Sequence, residues 1–116
     1  MRLLSIYSRL CLSTMNDLDR NKDRQIKVRV HIIVRGKVQG VYFRQNALRV
    51  CNGYGVTGWV RNLEDGSVET ILEGDKNSVE DAISWFKMGP PSAHVEKIEL
   101  RYDRYSGEFQ DFKINY

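Results

Sequence analysis

The sequence predicts an α+β domain of two layers, an antiparallel-dominated sheet with two helices on one of its faces. Three observations predict it: a run of strand period at 28–34, two later stretches of helical period, and a pair of strand patterns joined by an Asp-Gly turn. Read along the chain, the order is a βαββαβ core with an additional C-terminal strand. Each helix then crosses over between strands, and the ferredoxin-like, split βαβ sandwich is the economical way to pack that order.

The first strand is "KVRVHIIVRG", where Val28, Val30, Ile32 and Val34 fall on one face at a two-residue repeat. A helix follows, because Phe43, Ala47, Val50, Cys51 and Tyr54 recur at helical spacing before Gly53 and Gly55 stop it. "VTGWVRN" and "SVETILEG" read as two strands joined through "LEDG", whose Asp65-Gly66 pair suits the positive φ angles of a tight hairpin turn. The second helix is expected over 78–87, burying Val79, Ile83 and Phe86, with Asn77 and Glu80 close to a capping box. "GPP" at 89–91 breaks the chain, and "AHVEKIELRY" and "FQDFKINY" supply the last two strands.

With 116 residues, about two fifths of them apolar, the chain suits one compact domain, placed at 27–116. Residues 1–26 read as a flexible N-terminal extension. Arg2 and Arg9, the serines and a loose amphipathic pattern faintly resemble an organelle presequence, while Met15 offers an alternative start of translation. Cys11 and Cys51 lack metal-ligand spacing, which fits a reducing cytoplasm. No apolar run approaches the roughly 20 residues that span a bilayer, so no membrane partner is expected.

Charge is unevenly distributed. From 24 to 62 there are eight basic residues and no acid, whereas 63–116 holds twelve acids against six bases. A positive segment of this kind draws in a small anion, unless its bases are paired with the acids of the second half. The domain as a whole, with thirteen bases against twelve acids, makes a poor polyanion footprint, so nucleic acid is not the expected partner.

Within the positive segment lies "GKVQGVYFRQN", residues 36–46, which enters the first helix with no Ser, Thr or Asp to cap it. Only Gln39 offers a side-chain acceptor there, and it is a poor cap. The leading N–H groups are therefore left at the positive end of a helix dipole, beside Lys37 and Arg44. Glycines at 36 and 40 let the backbone turn tightly, so the N–H groups of Gln39, Gly40, Val41, Tyr42, Phe43 and Arg44 can converge on phosphate oxygens. Arg44 adds a planar fork able to bind two oxygens at once.

Other motifs are set aside. "GYGVTG" follows a helix and enters a strand, the reverse of dinucleotide-binding order. Neither cysteine has the arginine six residues on that a cysteine-nucleophile phosphatase needs. His31 and His94 stand alone in strands, and no His, Asp and Glu cluster suggests a metal.

"GKVQGVYFR" followed by "GVTGWVRNLEDGSVETILEG" closely resembles the acylphosphatase family, and "GPPSAHVEKIEL" and the closing "FKI" match as well. The resemblance covers about 30–116. It implies hydrolysis of a carboxyl-phosphate mixed anhydride to carboxylate and inorganic phosphate, with no cofactor, no metal and no covalent intermediate. By the same resemblance Arg44 holds the phosphate and Asn62 positions the attacking water. A small acyl phosphate as substrate, inorganic phosphate as product and ligand, a cytoplasmic location and a monomeric state complete the expectation. The alternatives are a non-catalytic phosphate-binding regulatory module or an RNA-binding ferredoxin-like module, the latter requiring exposed aromatics on the central strands.

Overall fold

A computed structural model describes residues 26–116, so the expectations for residues 1–25 and Cys11 lie outside the described residues. The order is β1 (Lys27–Lys37), α1 (Phe43–Tyr54), β2 (Thr57–Asn62), β3 (Val68–Asp75), α2 (Lys76–Met88), β4 (His94–Asp103) and β5 (Phe112–Ile114). The strands form one sheet in the order β4-β1-β3-β2-β5. Every neighbouring pair is antiparallel except β2 and β5. This is the expected βαββαβ core with an extra C-terminal strand.

Alternation along β1 puts Val30, Ile32 and Val34 in the core, with Val60, Val68 and Leu72 from its neighbours. Phe43, Ala47 and Cys51 from α1 and Val79, Ala82, Ile83 and Phe86 from α2 meet that same face, so both helices share it. The rings of Phe43, Trp85 and Phe86 interlock at centroid distances of 5.1–5.8 Å where the helices meet. No helix among the described residues is long and apolar enough to cross a membrane.

The opposite face is covered by ion pairs between the two halves of the sequence: Arg29 with Glu73, Arg61 and His31 with Glu69, and Arg35 with Glu99 and Asp65. Most of the basic excess of the first half is thus taken up by the acids of the second. Lys37, Arg44 and Arg49 are different, with no carboxylate partner among the described residues.

Four local expectations are corrected. α2 begins directly out of β3 at Lys76, and Asp75 at its N-cap makes no side-chain cap, because its carboxylate is held by Lys27. Asn77 falls inside the helix, so it caps nothing. In the hairpin only Gly66 takes a positive φ, 93°. Leu63 accepts from the Gly66 N–H and donates to Ser67 O, a three-residue loop rather than a two-residue one. Tyr54 is 44% exposed and lies outside the core. The last strand shrinks to three residues, since 104–111 fold over the open face of the sheet toward Glu73.

Candidate active site

The loop between β1 and α1 is held by alternate residues. Val38, Val41 and Phe43 are buried and anchor it in the core. Between them Gly40, Tyr42 and Arg44 face a recess of about 280 Å³, whose remaining lining comes from Val38, Phe43, Gln45 and Asn62. Arg44 and Asn62, eighteen positions apart in sequence, thus share one cavity.

The loop's carbonyls are tied back into the protein while its N–H groups are not. Ser92 Oγ donates to Val41 O at 3.0 Å. Asn46 donates twice to Tyr42 O, from its backbone N–H at 3.1 Å and from Nδ2 at 2.8 Å. Arg49 in turn donates to Asn46 Oδ1. Tyr42 is held at φ 63°, ψ 27° as the N-cap of α1, with no side-chain cap, and is the one non-glycine residue at positive φ among those described. No acceptor among the described residues meets the backbone N–H groups of residues 40–45. Uncapped amides at a helix N-terminus form a positive surface suited to an anion.

The side chain of Gln39 turns away from the recess. Its Nε2 donates to Leu63 O at 2.7 Å and to Ser67 O at 2.9 Å, fastening the loop to the β2–β3 turn. Gln39 and Val41 belong to the loop but neither lines the cavity. Asn62 ends β2 opposite Val68, and its Oδ1 is buried without a hydrogen-bond partner. A buried amide oxygen left unpaired costs about 1–3 kcal/mol unless something fills it. Arg44 lies with its guanidinium 5.0 Å from the ring centroid of Tyr116, a residue 94% exposed.

Nucleophiles and metal ligands lie elsewhere. Cys51 is fully buried and burial pushes its thiol up to about 12. His31 is engaged with Glu69 at 2.7 Å on the far face, and His94 is exposed at the start of β4. No group of three or more His, Cys, Asp or Glu residues among those described is arranged to hold a metal. A larger cavity, about 390 Å³, lies between β2, β5 and residues 108–111. It has no orphaned buried polar atom, so size alone does not mark the site.

Asn46, Ser92 and Gln39's clamp on the turn were not foreseen from the sequence. Their partners are backbone carbonyls, which leave no residue-type signal.

The fold and recess define a small α+β protein of ferredoxin-like type built around an anion-receptive helix start. The acylphosphatase family model matches residues 30–114. An acylphosphatase of Pyrobaculum calidifontis is 57% identical over 88 residues, 75% of this chain and 80% of that protein. One of Pyrobaculum islandicum is 52% identical, over 75% of this chain and 93% of that protein. The crystal structure of acylphosphatase from Bacillus subtilis superposes with a TM-score of 0.74 at 34% identity, covering 77% of this chain and 99% of that one. The chain belongs to the acylphosphatase family. It is a hydrolase with acylphosphatase activity, and an acyl phosphate is its substrate.

Proposed function

We propose that Arg44 and the backbone N–H groups of residues 39–44 hold the phosphoryl group of a small acyl phosphate, and that Asn62 aims the attacking water. The orphaned Oδ1 of Asn62 carries this reading. It is an acceptor with no protein partner, in the same recess as Arg44, which has no carboxylate partner among the described residues. A water donating to it satisfies the amide and is oriented toward phosphorus by the same contact.

The chemistry asks for little more. Water adds to phosphorus as the bond from phosphorus to the acyl oxygen breaks, the electron pair leaves with the carboxylate, and the water's proton passes to phosphate or solvent. Because a carboxylate is a good leaving group, catalysis is mainly positioning and stabilisation of charge on the phosphoryl oxygens. Backbone amides and one guanidinium supply that charge without a strong base, and the reading calls for no metal or cofactor. The site is complete within one chain. Ion pairs over the helix-free face do not favour an RNA platform there. Soluble surroundings with a reducing poise, as in cytoplasm, suit a free buried Cys51.

The test is hydrolysis of benzoyl phosphate with a chelator present, paired with inhibition by inorganic phosphate. Full activity under chelation is expected. Arg44→Ala should lose about 3 kcal/mol or more of transition-state stabilisation, roughly 10² to 10³ in rate, and bind phosphate less well. Asn62→Ala should lose turnover and leave phosphate inhibition nearly unchanged. Full turnover in Asn62→Ala would remove its assigned role.

A further inference from the structure

We propose that the ring of Tyr42 is the platform for the acyl half of the substrate, selecting flat apolar acyl groups such as benzoyl over short ones such as acetyl. The platform rests on the phosphate grip proposed above, because the phosphoryl end must first be held at Arg44 beside Asn62.

Nothing in the protein's own packing explains a tyrosine at position 42. The residue is 72% exposed, so its ring adds little to the core. No hydrogen bond or ring contact engages its side chain among the described residues; only its carbonyl is held, by Asn46. The backbone does not ask for it either. At φ 63°, ψ 27° a glycine sits freely and an asparagine is tolerated, whereas a tyrosine is strained. A strained residue whose side chain supports nothing inside the fold points to a use outside it. Tyr42 lines the recess, which supplies that use.

The lining of the recess divides by chemistry. Gly40, Arg44 and Asn62 offer the donors and the acceptor that the phosphoryl group and the attacking water take up. Tyr42, Val38 and Phe43 are the apolar part, and of these Val38 and Phe43 are buried. In an acyl phosphate the carbonyl carbon is joined to phosphorus through a single oxygen, so the acyl group lies within a few bonds of the gripped oxygens. In-line displacement sends that group out on the side of phosphorus away from the water, and so away from Asn62. Of the lining that remains, Tyr42 is the exposed apolar surface. A flat acyl group laid on it gains apolar burial and an offset or edge contact between rings. A methyl group gains only the first, over a smaller area.

Tyr116 is the other exposed aromatic beside Arg44, its ring centroid 5.0 Å from the guanidinium, but it does not line the recess. Its contact acts on the arginine, and hence on every acyl phosphate alike.

A platform of this kind touches a group whose shape is the same before and during the breaking of the bond to phosphorus. It binds ground and transition states about equally and therefore shows in KM rather than in kcat. The test measures kcat and KM for benzoyl phosphate and acetyl phosphate, with inhibition by inorganic phosphate, in the full chain and in Tyr42→Phe, Tyr42→Asn, Tyr42→Gly and Tyr116→Ala. The ratio of kcat/KM between the two substrates cancels any disturbance of the amides that both use, and phosphate inhibition reports the grip by itself. Tyr42→Phe keeps the ring and should keep the ratio. Tyr42→Asn and Tyr42→Gly suit the backbone but lack the ring, and should lower the benzoyl-to-acetyl ratio roughly three- to tenfold through a higher KM for benzoyl phosphate. Tyr116→Ala should leave the ratio in place. A ratio unchanged in Tyr42→Asn and Tyr42→Gly, or one that falls in Tyr116→Ala instead, would overturn the platform and leave the phosphate grip standing. Full activity in both Arg44→Ala and Asn62→Ala would overturn the grip and the platform together.

Discussion

At the scale of single residues, Tyr42 is the unusual feature of the recess. A side chain at φ 63° costs about 1–2 kcal/mol relative to ordinary helical geometry, and such a cost persists only where surrounding contacts impose it. Asn46 imposes it here, by placing two donors on the Tyr42 carbonyl, with Arg49 holding the far end of the amide. Asn46→Ala removes one donor and should cost about 1 kcal/mol in stability. Looser loop amides should also raise KM and weaken phosphate inhibition severalfold, with kcat changing less. In a Tyr42→Gly background the backbone adopts that turn without strain, so the same substitution should cost little; benzoyl phosphate kinetics on the four proteins measure the difference. An equal penalty in both backgrounds would show that Asn46 acts other than through the turn. Arg44, Gly40 and Asn62 were legible in sequence, because a missing cap and a motif of fixed spacing announce them. Asn46 and Ser92 were not, since an asparagine or serine gives no hint of which distant carbonyl it will reach.

At the scale of elements, β2 bears the most constraint for its length. Gly58 has φ 135°, and a Cβ there would lie 1.8 Å from Ile71 O on β3. Its own N–H donates to Asp111 O, the contact that leads into β5. Gly58→Ala must push β3 away or bend β2, and should cost about 3 kcal/mol or more, seen as a lower midpoint in chemical denaturation. Because Asn62 is four residues along the same strand, activity should fall at temperatures where the variant is still folded. The strands and helices themselves were readable from period alone. Their ends were less so. α2 starts two residues early, because Asp75 is spent on Lys27 and the Lys76 N–H finds Ile26 O instead of a side-chain cap. β5 is short because a chain leaving β4 must cross the whole sheet before it reaches β2, and it spends residues 104–111 doing so.

At the scale of the whole molecule, the two halves of the sequence neutralise each other across the open face of the sheet, and this fixes the response to acid. Glu73 is the centre of that face, fully buried and bonded to Arg29 Nη1, Ser106 N and Oγ, and Gly107 N. Burial alone would push its carboxyl up, but the Ser106 N–H and the Arg29 guanidinium hold it below its ordinary value of 4.5. Glu69 is placed likewise: burial opposes ionisation, while His31 and Arg61 outweigh it. A carboxyl whose value is lower in the folded chain binds protons less readily than in the unfolded chain. Its stabilisation is therefore complete above the unfolded value, near pH 4.5, and is lost as the pH falls through the folded one. Unfolding free energy should accordingly be flat from neutrality to about pH 5 and fall steeply below about pH 4.5. Glu73→Gln keeps the shape but sets its amide N–H₂ against one backbone donor, Gly107 N–H or Ser106 N–H according to its orientation, and leaves Glu108 as the one carboxylate on Arg29 among the described residues. It should cost about 2–3 kcal/mol at neutral pH and make the acid slope shallower, measured by urea denaturation between about pH 3 and about pH 7. A variant as acid-sensitive as the parent would assign the slope to Glu69 and its neighbours instead.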